Sequence, residues 1–264
     1  MKSTGLRGFL DALRKIPILK RAGAAFLTPI RFTLETGHLR SAIQGRAVDS
    51  KGGPIPWYTY PAIDFLSQAD FSQYSILEWG GGHSTLWWAE RAASVLTLET
   101  NASWFEYIRR RTLRRTNVEL HLCETAEEYI TMPLGRSFDW VIIDGDERLA
   151  CARTALRVIR PHGGILLDDS MRYWGNKEPA THIADMLQRS GFWRVDFYGY
   201  APCDWCPKCT SVFFGKESEL FRRLPAPFRR RGFVEMICGG TVQPSASGGP
   251  SRTRGRDSHD GIAR

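Results

Sequence analysis

The chain has 264 residues, of which 42% are apolar, 12% aromatic and 24% charged, a globular composition that excludes a disordered or fibrous protein. No stretch approaches the roughly 18 consecutive apolar residues of a membrane span, and Asp11, Arg14 and Lys15 interrupt the segment where a secretory signal would need an unbroken apolar core. A cytoplasmic chain with reduced thiols is expected, because six cysteines (123, 151, 203, 206, 209 and 238) are too sparse for a disulfide framework, while the net charge of +8 raises a nucleic-acid or membrane partner as a question.

Residues 1–56 read as a basic, helical extension. Phe9, Leu10, Leu13 and Ile16 fall at helical spacing before Pro17, which is expected to end that helix. Seven basic residues face only Asp11 through residue 31, a local charge of +6. Such a helix can lie on an anionic membrane surface or pack on the domain with a solvated basic face, and the second reading is the more economical. Gly52, Gly53, Pro54 and Pro56 make a loop into Trp57-Tyr58-Thr59-Tyr60-Pro61, and a helix is predicted from Ala62.

A domain over 57–239 follows, in which short apolar runs alternate with helical segments. Ser75 to Glu78, Ser94 to Glu99, Asn117 to Cys123, Phe138 to Asp144 and Gly164 to Asp168 predict five strands, apolar on both faces as in a buried parallel sheet. Helices are predicted at Thr85 to Ala93, Trp104 to Arg115, Ala126 to Thr131 and Arg148 to Ile159, with Ser103/Glu106 and Thr125/Glu128 at capping-box spacing. After a helix at Pro179 to Arg189, the strands Trp193 to Tyr198 and Thr210 to Phe214 follow with no helix between them, which predicts an antiparallel final pair. The fold class is therefore α/β, a doubly wound, mostly parallel seven-stranded sheet with an antiparallel last strand. Residues 240–264, rich in Gly, Ser, Pro and Arg, are expected to be disordered.

The strand Ser75-Ile76-Leu77-Glu78 runs into Trp79-Gly80-Gly81-Gly82-His83-Ser84-Thr85 and then a helix. Glycines at such a turn let the backbone approach a ligand closely. Glu99 closes the next strand about 20 residues on, where a carboxylate can accept from ribose hydroxyls, so a nucleoside-bearing cofactor is expected. For a dinucleotide the glycine pattern is imperfect: Thr85 stands where the third glycine belongs. Glu78 beside the glycines would repel a pyrophosphate and suits a cationic cofactor.

Glu78-Trp79-Gly80-Gly81-Gly82-His83-Ser84 resembles the first motif of the class I S-adenosylmethionine-dependent methyltransferases. The resemblance continues through Glu99, through Phe138 to Gly145, and through Ile159 to Asp169 with its Pro161-His162-Gly163-Gly164 turn, and covers about residues 57 to 215. It implies S-adenosyl-L-methionine as cofactor, held by Glu78, Gly80, Gly81, Gly82, Ser84, Thr85, Glu99, Trp104, Asp144 and Gly145. Cys123 and Glu124 occupy the region where the family contacts the adenine edge. Trp57, Tyr58 and Tyr60 can close the site or pack the N-terminal helix.

Methyl transfer from a sulfonium is an in-line displacement, so the protein must hold the acceptor and, for oxygen, help remove its proton. Asp144, Asp168 and Asp169 are the candidate catalytic residues, with Asp146 and Arg148 nearby. The three aspartates resemble the set that holds Mg²⁺ in catechol-type O-methyltransferases, although Asp146-Glu147-Arg148 departs from that pattern. The Asn/Asp-Pro-Pro-aromatic run of amine methyltransferases is lacking, so an oxygen of a small molecule or glycan is the expected acceptor and nucleic acid is not. Cys203, Cys206 and Cys209 leave zinc open only if Cys238 completes the set. A nicotinamide-dependent oxidoreductase and a non-catalytic binding protein of the same fold are the competing readings. Divided along the chain, +6 falls on residues 1–31 and +2 on the segment from Gly240, so residues 32–239 are neutral in total and peripheral membrane contact is a property of the N-terminal arm alone.

Overall fold

A computed structural model describes residues 17–171, 180–218 and 220. All of them belong to the first of two compact units, 1–230, and the second, 231–264, lies outside them. The expected helix over Phe9 to Ile16, the tail from Gly240 and Cys238 therefore fall outside the described residues.

The helix α1, Pro17–Glu35, begins at the proline expected to end one. The ring's fixed φ and missing N–H suit a first helical turn, where no donor is needed. Phe32 ties α1 to the domain, meeting Tyr60 edge-on at 5.4 Å and Tyr200 at 6.0 Å between ring centres. The short α2, His38–Gln44, lies between Gly37 and Gly45, both left-handed, and leads to Ala47 and Val48, which are buried. Ser41 holds that return: its hydroxyl donates to the Val48 carbonyl and accepts from the Val48 N–H. A helix α3, Tyr60–Leu66, then covers the sheet.

The sheet strands are β1 Ser75–Trp79, β2 Ser94–Glu99, β3 Val118–Leu122, β4 Phe138–Ile143, β5 Ile159–Leu167, β6 Trp193–Gly199 and β7 Lys208–Phe214, in the order β3-β2-β1-β4-β5-β7-β6. The first five pair in parallel; β7 is antiparallel to both β5 and β6, so it alone runs against the rest. The helices α4 His83–Ala89, α5 Ala102–Thr112, α6 Ala126–Thr131 and α7 Arg148–Val158 make the crossovers, and α8, Ala180–Arg189, precedes β6. The order reverses between β1 and β4, which opens a crevice at their carboxyl ends.

Alternate side chains of the central strands feed two cores. Leu77, Trp79, Val141, Ile143, Ile165 and Leu167 pack with Cys151, Ala155 and Leu187 on one face. Ile76, Trp140, Ile142, Leu166 and Val212 pack with Tyr58, Leu66, Phe71 and Trp88 on the other. Two-sided burial explains why these strands read as continuous apolar runs.

Two expectations are corrected. The Pro161 to Gly164 stretch is not a turn but lies within β5, which starts at Ile159. Gly164 is required there by packing, since a Cβ would sit 2.1 Å from a ring carbon of Trp140. The N-cap of α5 is Asn101 rather than Ser103: its side chain accepts from the N–H of Ser103 and of Trp104. Thr125 does cap α6, accepting from Glu128 N–H at 3.1 Å.

Candidate active site

The turn after β1 is built by contact with the turn after β4. Gly80 has φ +89, and a Cβ on it would lie 2.6 Å from the Gly145 nitrogen; a Cβ on Gly145 would meet the Tyr129 hydroxyl at 2.0 Å. Both positions therefore exclude a side chain, the first also by its left-handed backbone. Gly81 faces Ile108 and Thr97 just as closely, and the Gly82 N–H donates to the Thr85 hydroxyl at 3.1 Å.

Beneath this turn lies Glu78, fully buried at the end of β1. One carboxylate oxygen accepts from the hydroxyls of Thr85 (2.5 Å) and Thr97 (2.9 Å), and the other has no partner. Burial pushes this carboxyl up to about 7 against the hydroxyls that favour its charged form. Glu99, 6% exposed, bridges the turn to β2: one oxygen accepts from Gly81 N–H at 2.7 Å, the other from Thr100 N–H at 2.9 Å and Asn101 N–H at 2.7 Å. Burial raises its pKa as well, while the three N–H donors oppose the rise.

Above the turn opens a cavity of ≈ 980 Å³. Of the residues named from sequence, Gly80, Gly81, Gly82, Ser84, Glu99, Trp104, Asp144, Gly145, Asp168 and Asp169 line it; Glu78 and Thr85 do not, being the support below. Trp57 lines the cavity, whereas Tyr58 and Tyr60 are buried in the second core. Cys123 does not reach it: the residue is core, and its N–H closes the backbone onto the Glu99 carbonyl at 2.8 Å. Sequence reasoning missed Arg46, His83, Asn101, Tyr129, Asp204 and Lys208. His83 is held by the Ala47 carbonyl and the Tyr107 hydroxyl, and burial lowers its pKa, so it is a neutral strut between the N-terminal segment and α5.

The lining is acidic. Glu99, Asp144, Asp146, Glu147, Asp168, Asp169 and Asp204 face Arg46, Arg148 and Lys208, seven formal negative charges against three positive, or −4, in a chain whose net charge is +8. A cationic ligand is favoured in such a cleft and a pyrophosphate is repelled.

At the ends of β4, β5 and β7 the aspartates divide their labour. Asp168 is 1% exposed and consumed by structure, accepting from Lys208 Nζ at 2.7 Å and from the Thr210 hydroxyl at 2.5 Å. Lys208 Nζ also lies 3.2 Å from Asp169 and 3.8 Å from Asp204. Burial alone would lower the Lys208 pKa, but Asp168, Asp169 and Asp144 outweigh it and hold the ammonium charged. Arg148 clamps the loop by donating to the carbonyls of Gly145 (3.0 Å), Asp168 (2.5 Å) and Asp144 (3.2 Å), with Asp144 Oδ1 at 3.3 Å. Asp144 keeps 22% of its side chain exposed in the cavity. Burial, then Asp168, raises its pKa well above the usual carboxylate range, with Arg148 and Lys208 opposing.

A divalent metal does not fit. Among the described residues no group of three or more His, Cys, Asp or Glu side chains is arranged to hold an ion, and the Lys208 ammonium stands among the aspartates expected to ligate Mg²⁺. Nor, among the described residues, do the thiols gather for zinc. The Cys203 thiol donates to the Ser41 carbonyl at 3.2 Å, Cys206 is exposed, and Cys209 is buried in β7 with Ser211 at 3.9 Å.

Residues 77–170 match the family model described as a methyltransferase domain, over the same strands and turns that build this cleft. That stretch is a methyltransferase domain of the class I, S-adenosylmethionine-dependent kind. The cofactor that this domain implies, S-adenosylmethionine, bears an ammonium and a sulfonium, and the acidic lining suits both charges. No curated protein matches the chain. Among solved structures it is similar to a Klebsiella pneumoniae protein assigned provisionally as an O-methyltransferase, with 20% identity over 71% of this chain and 90% of that one and a TM-score of 0.47. It is also similar to a precorrin-6y C5,15-methyltransferase from Geobacter metallireducens, with 14% identity over 66% and 96% and a TM-score of 0.49. A SAM-dependent methyltransferase from Aquifex aeolicus shares 13% over 59% and 89%, with a TM-score of 0.40. The assignment rests on the family match and the strand order, not on these distant likenesses. Among the described residues no helix is long and apolar enough to cross a membrane.

Proposed function

We propose that this methyltransferase methylates an oxygen of a small molecule or glycan, with S-adenosylmethionine seated over the glycine turn and the acceptor placed against Asp144. Gly80, Gly81, Gly82 and Gly145 leave room for close backbone approach. Glu99 takes the ribose hydroxyls through the lone pairs its three N–H donors leave open. Trp104, 38% exposed at the rim beside Asn101, stacks on the adenine. Glu78 and Thr85 hold the turn from below.

The observation that carries the oxygen acceptor is Asp144: a half-buried carboxylate in the cleft whose proton affinity is raised, beside an aspartate and a lysine locked to each other. A hydroxyl loses reactivity unless its proton leaves as the new bond forms, and a base with raised pKa within reach is suited to take it. When bound, the cofactor supplies the electrophilic methyl, whose bond to sulfur breaks as the bond to the acceptor oxygen forms, the electron pair remaining on sulfur. Asp144 takes the acceptor's proton, Arg148 fixes the Asp144 backbone and side chain, and the buried Asp168 anchors β7 to β5 so that Lys208 faces the cleft. Catalysis here is orientation plus one proton transfer.

The test is a screen of cell extract with methyl-labelled S-adenosylmethionine. Label in alkali-stable methyl ethers or in alkali-labile methyl esters, lost in Asp144→Asn by about two orders of magnitude, is expected; label on nitrogen only, or undiminished in the variant, contradicts the oxygen reading.

A further inference from the structure

We propose that Lys208 is the built-in cation of the acceptor subsite, its ammonium set against Asp168, Asp169 and Asp204, so that acceptor oxygens are positioned by an ammonium and the reaction needs no metal. The inference rests on the reading of this cleft as a methyl-transfer site and goes beyond it. Four carboxylates converge where β4, β5 and the β6–β7 loop end, and such a group has to be neutralised by something. Arg148 donates to three carbonyls and lies 3.3 Å from Asp144 Oδ1. Lys208 serves the carboxylates, with Nζ at 2.7 Å from Asp168 Oδ2, 3.2 Å from Asp169 Oδ1 and 3.8 Å from Asp204 Oδ2.

Its placement follows from the strand. Lys208 and Thr210 stand two residues apart on β7 and so share a face, and both meet Asp168, one on each carboxylate oxygen. The ammonium is thereby held from a strand rather than from a loop. Lys208 keeps 16% of its side chain exposed and lines the cavity, so its ammonium is open to an acceptor oxygen in the cleft. A divalent cation with six or more oxygen ligands cannot share this space with the ammonium, and like charges at such separations repel strongly in a half-buried cleft.

The decisive experiment is titration of the full chain with Mn²⁺ alone, followed by electron paramagnetic resonance, for wild type, Lys208→Ala and Lys208→Ala/Asp168→Asn. Wild type is expected to show no saturable Mn²⁺ site in the millimolar range. With the ammonium gone the carboxylates can rearrange around an ion, and Lys208→Ala is expected to gain one site at least about tenfold tighter than any residual wild-type binding, and the double variant to lose it. Binding of S-adenosylhomocysteine and far-ultraviolet circular dichroism report whether each variant is folded. Wild type binding Mn²⁺ as tightly as Lys208→Ala, or a folded Lys208→Ala that binds none, overturns the proposal. Should Lys208→Ala not fold, the wild-type arm decides: methyl transfer to extract acceptors that survives exhaustive EDTA treatment supports it, and transfer abolished by EDTA and restored by Mg²⁺ or Mn²⁺ overturns it. A wild type that binds no S-adenosylmethionine would sink the methyl-transfer reading while leaving the Mn²⁺ result to stand on its own.

Discussion

Glu78 and Glu99 show how two acids beside one glycine turn take different work. Glu78 is sealed beneath the glycine turn with one oxygen unpartnered, and its carboxyl titrates near 7 instead of near 4.5. The raised folded pKa means that the native state binds a proton the unfolded chain does not, between about pH 7 and about pH 4.5, so this group's burden on stability is full above pH 7 and disappears as pH falls through that window. Glu78→Gln carries no such charge. In urea unfolding, wild type is expected to gain on Glu78→Gln by up to about 3 kcal/mol between pH 8.5 and pH 5; a pH-independent difference contradicts the burial argument. Glu99 lies in the cleft wall and accepts from three backbone N–H groups. Glu99→Ala leaves them unpaired and removes the proposed ribose acceptor, so S-adenosylmethionine affinity measured by calorimetry is expected to fall at least about tenfold. Gly80→Val should do the same through geometry, because its left-handed backbone and the Gly145 contact both refuse a side chain; normal binding by that variant would remove the glycine turn from the site.

At the scale of elements, the strands were readable because two-sided burial leaves them continuously apolar, and β2 and α6 match their predicted bounds. What escaped was decided by contacts distant in sequence. The glycines of β5 read as a turn because nothing local shows that Gly164 lies against the ring of Trp140. That a helix starts at Pro17 went unread because the proline was weighed only as the end of the segment before it. Lys208 went unnoticed inside a cysteine-rich run; only the extension of β7 two residues ahead of Thr210 turns it toward Asp168. At the opposite end of the sheet, Asp139 ties three strands, accepting from Ser75 N–H (2.8 Å), the Ser75 hydroxyl (2.9 Å), Arg160 (2.6 Å) and His162 (2.8 Å). These bonds overcome burial and bring its carboxyl down to about 2. A depressed folded pKa contributes stability above about pH 4 that is lost as pH falls toward 2. Asp139→Ala is expected to cost about 3 kcal/mol or more in urea unfolding at pH 7 while leaving the cofactor affinity of the folded protein unchanged, since the site lies at the other end of the strands. A weakened affinity in folded Asp139→Ala contradicts that separation.

Across the whole molecule the charge is divided against itself. The chain is +8, and the excess falls on residues 1–31 and on those from Gly240, while the cleft lining sums to −4. The family and the cofactor class were legible from the glycine turn, Glu99 and the strand order; the sign of the cleft was not, because it depends on Asp204, from the β6–β7 loop, joining the acids that follow β4 and β5. That sign separates a sulfonium cofactor from a dinucleotide on physical grounds, since each carries the opposite charge into the same space. It also makes binding sensitive to salt in a defined direction: screening should weaken a cation in an acidic cleft. Calorimetric titration of the full chain with S-adenosylmethionine and with NADH, at low and at high salt, tests the account most directly. Micromolar binding of S-adenosylmethionine that weakens with salt, with no heat from NADH, is the expected result; saturable micromolar binding of NADH without binding of S-adenosylmethionine would contradict it.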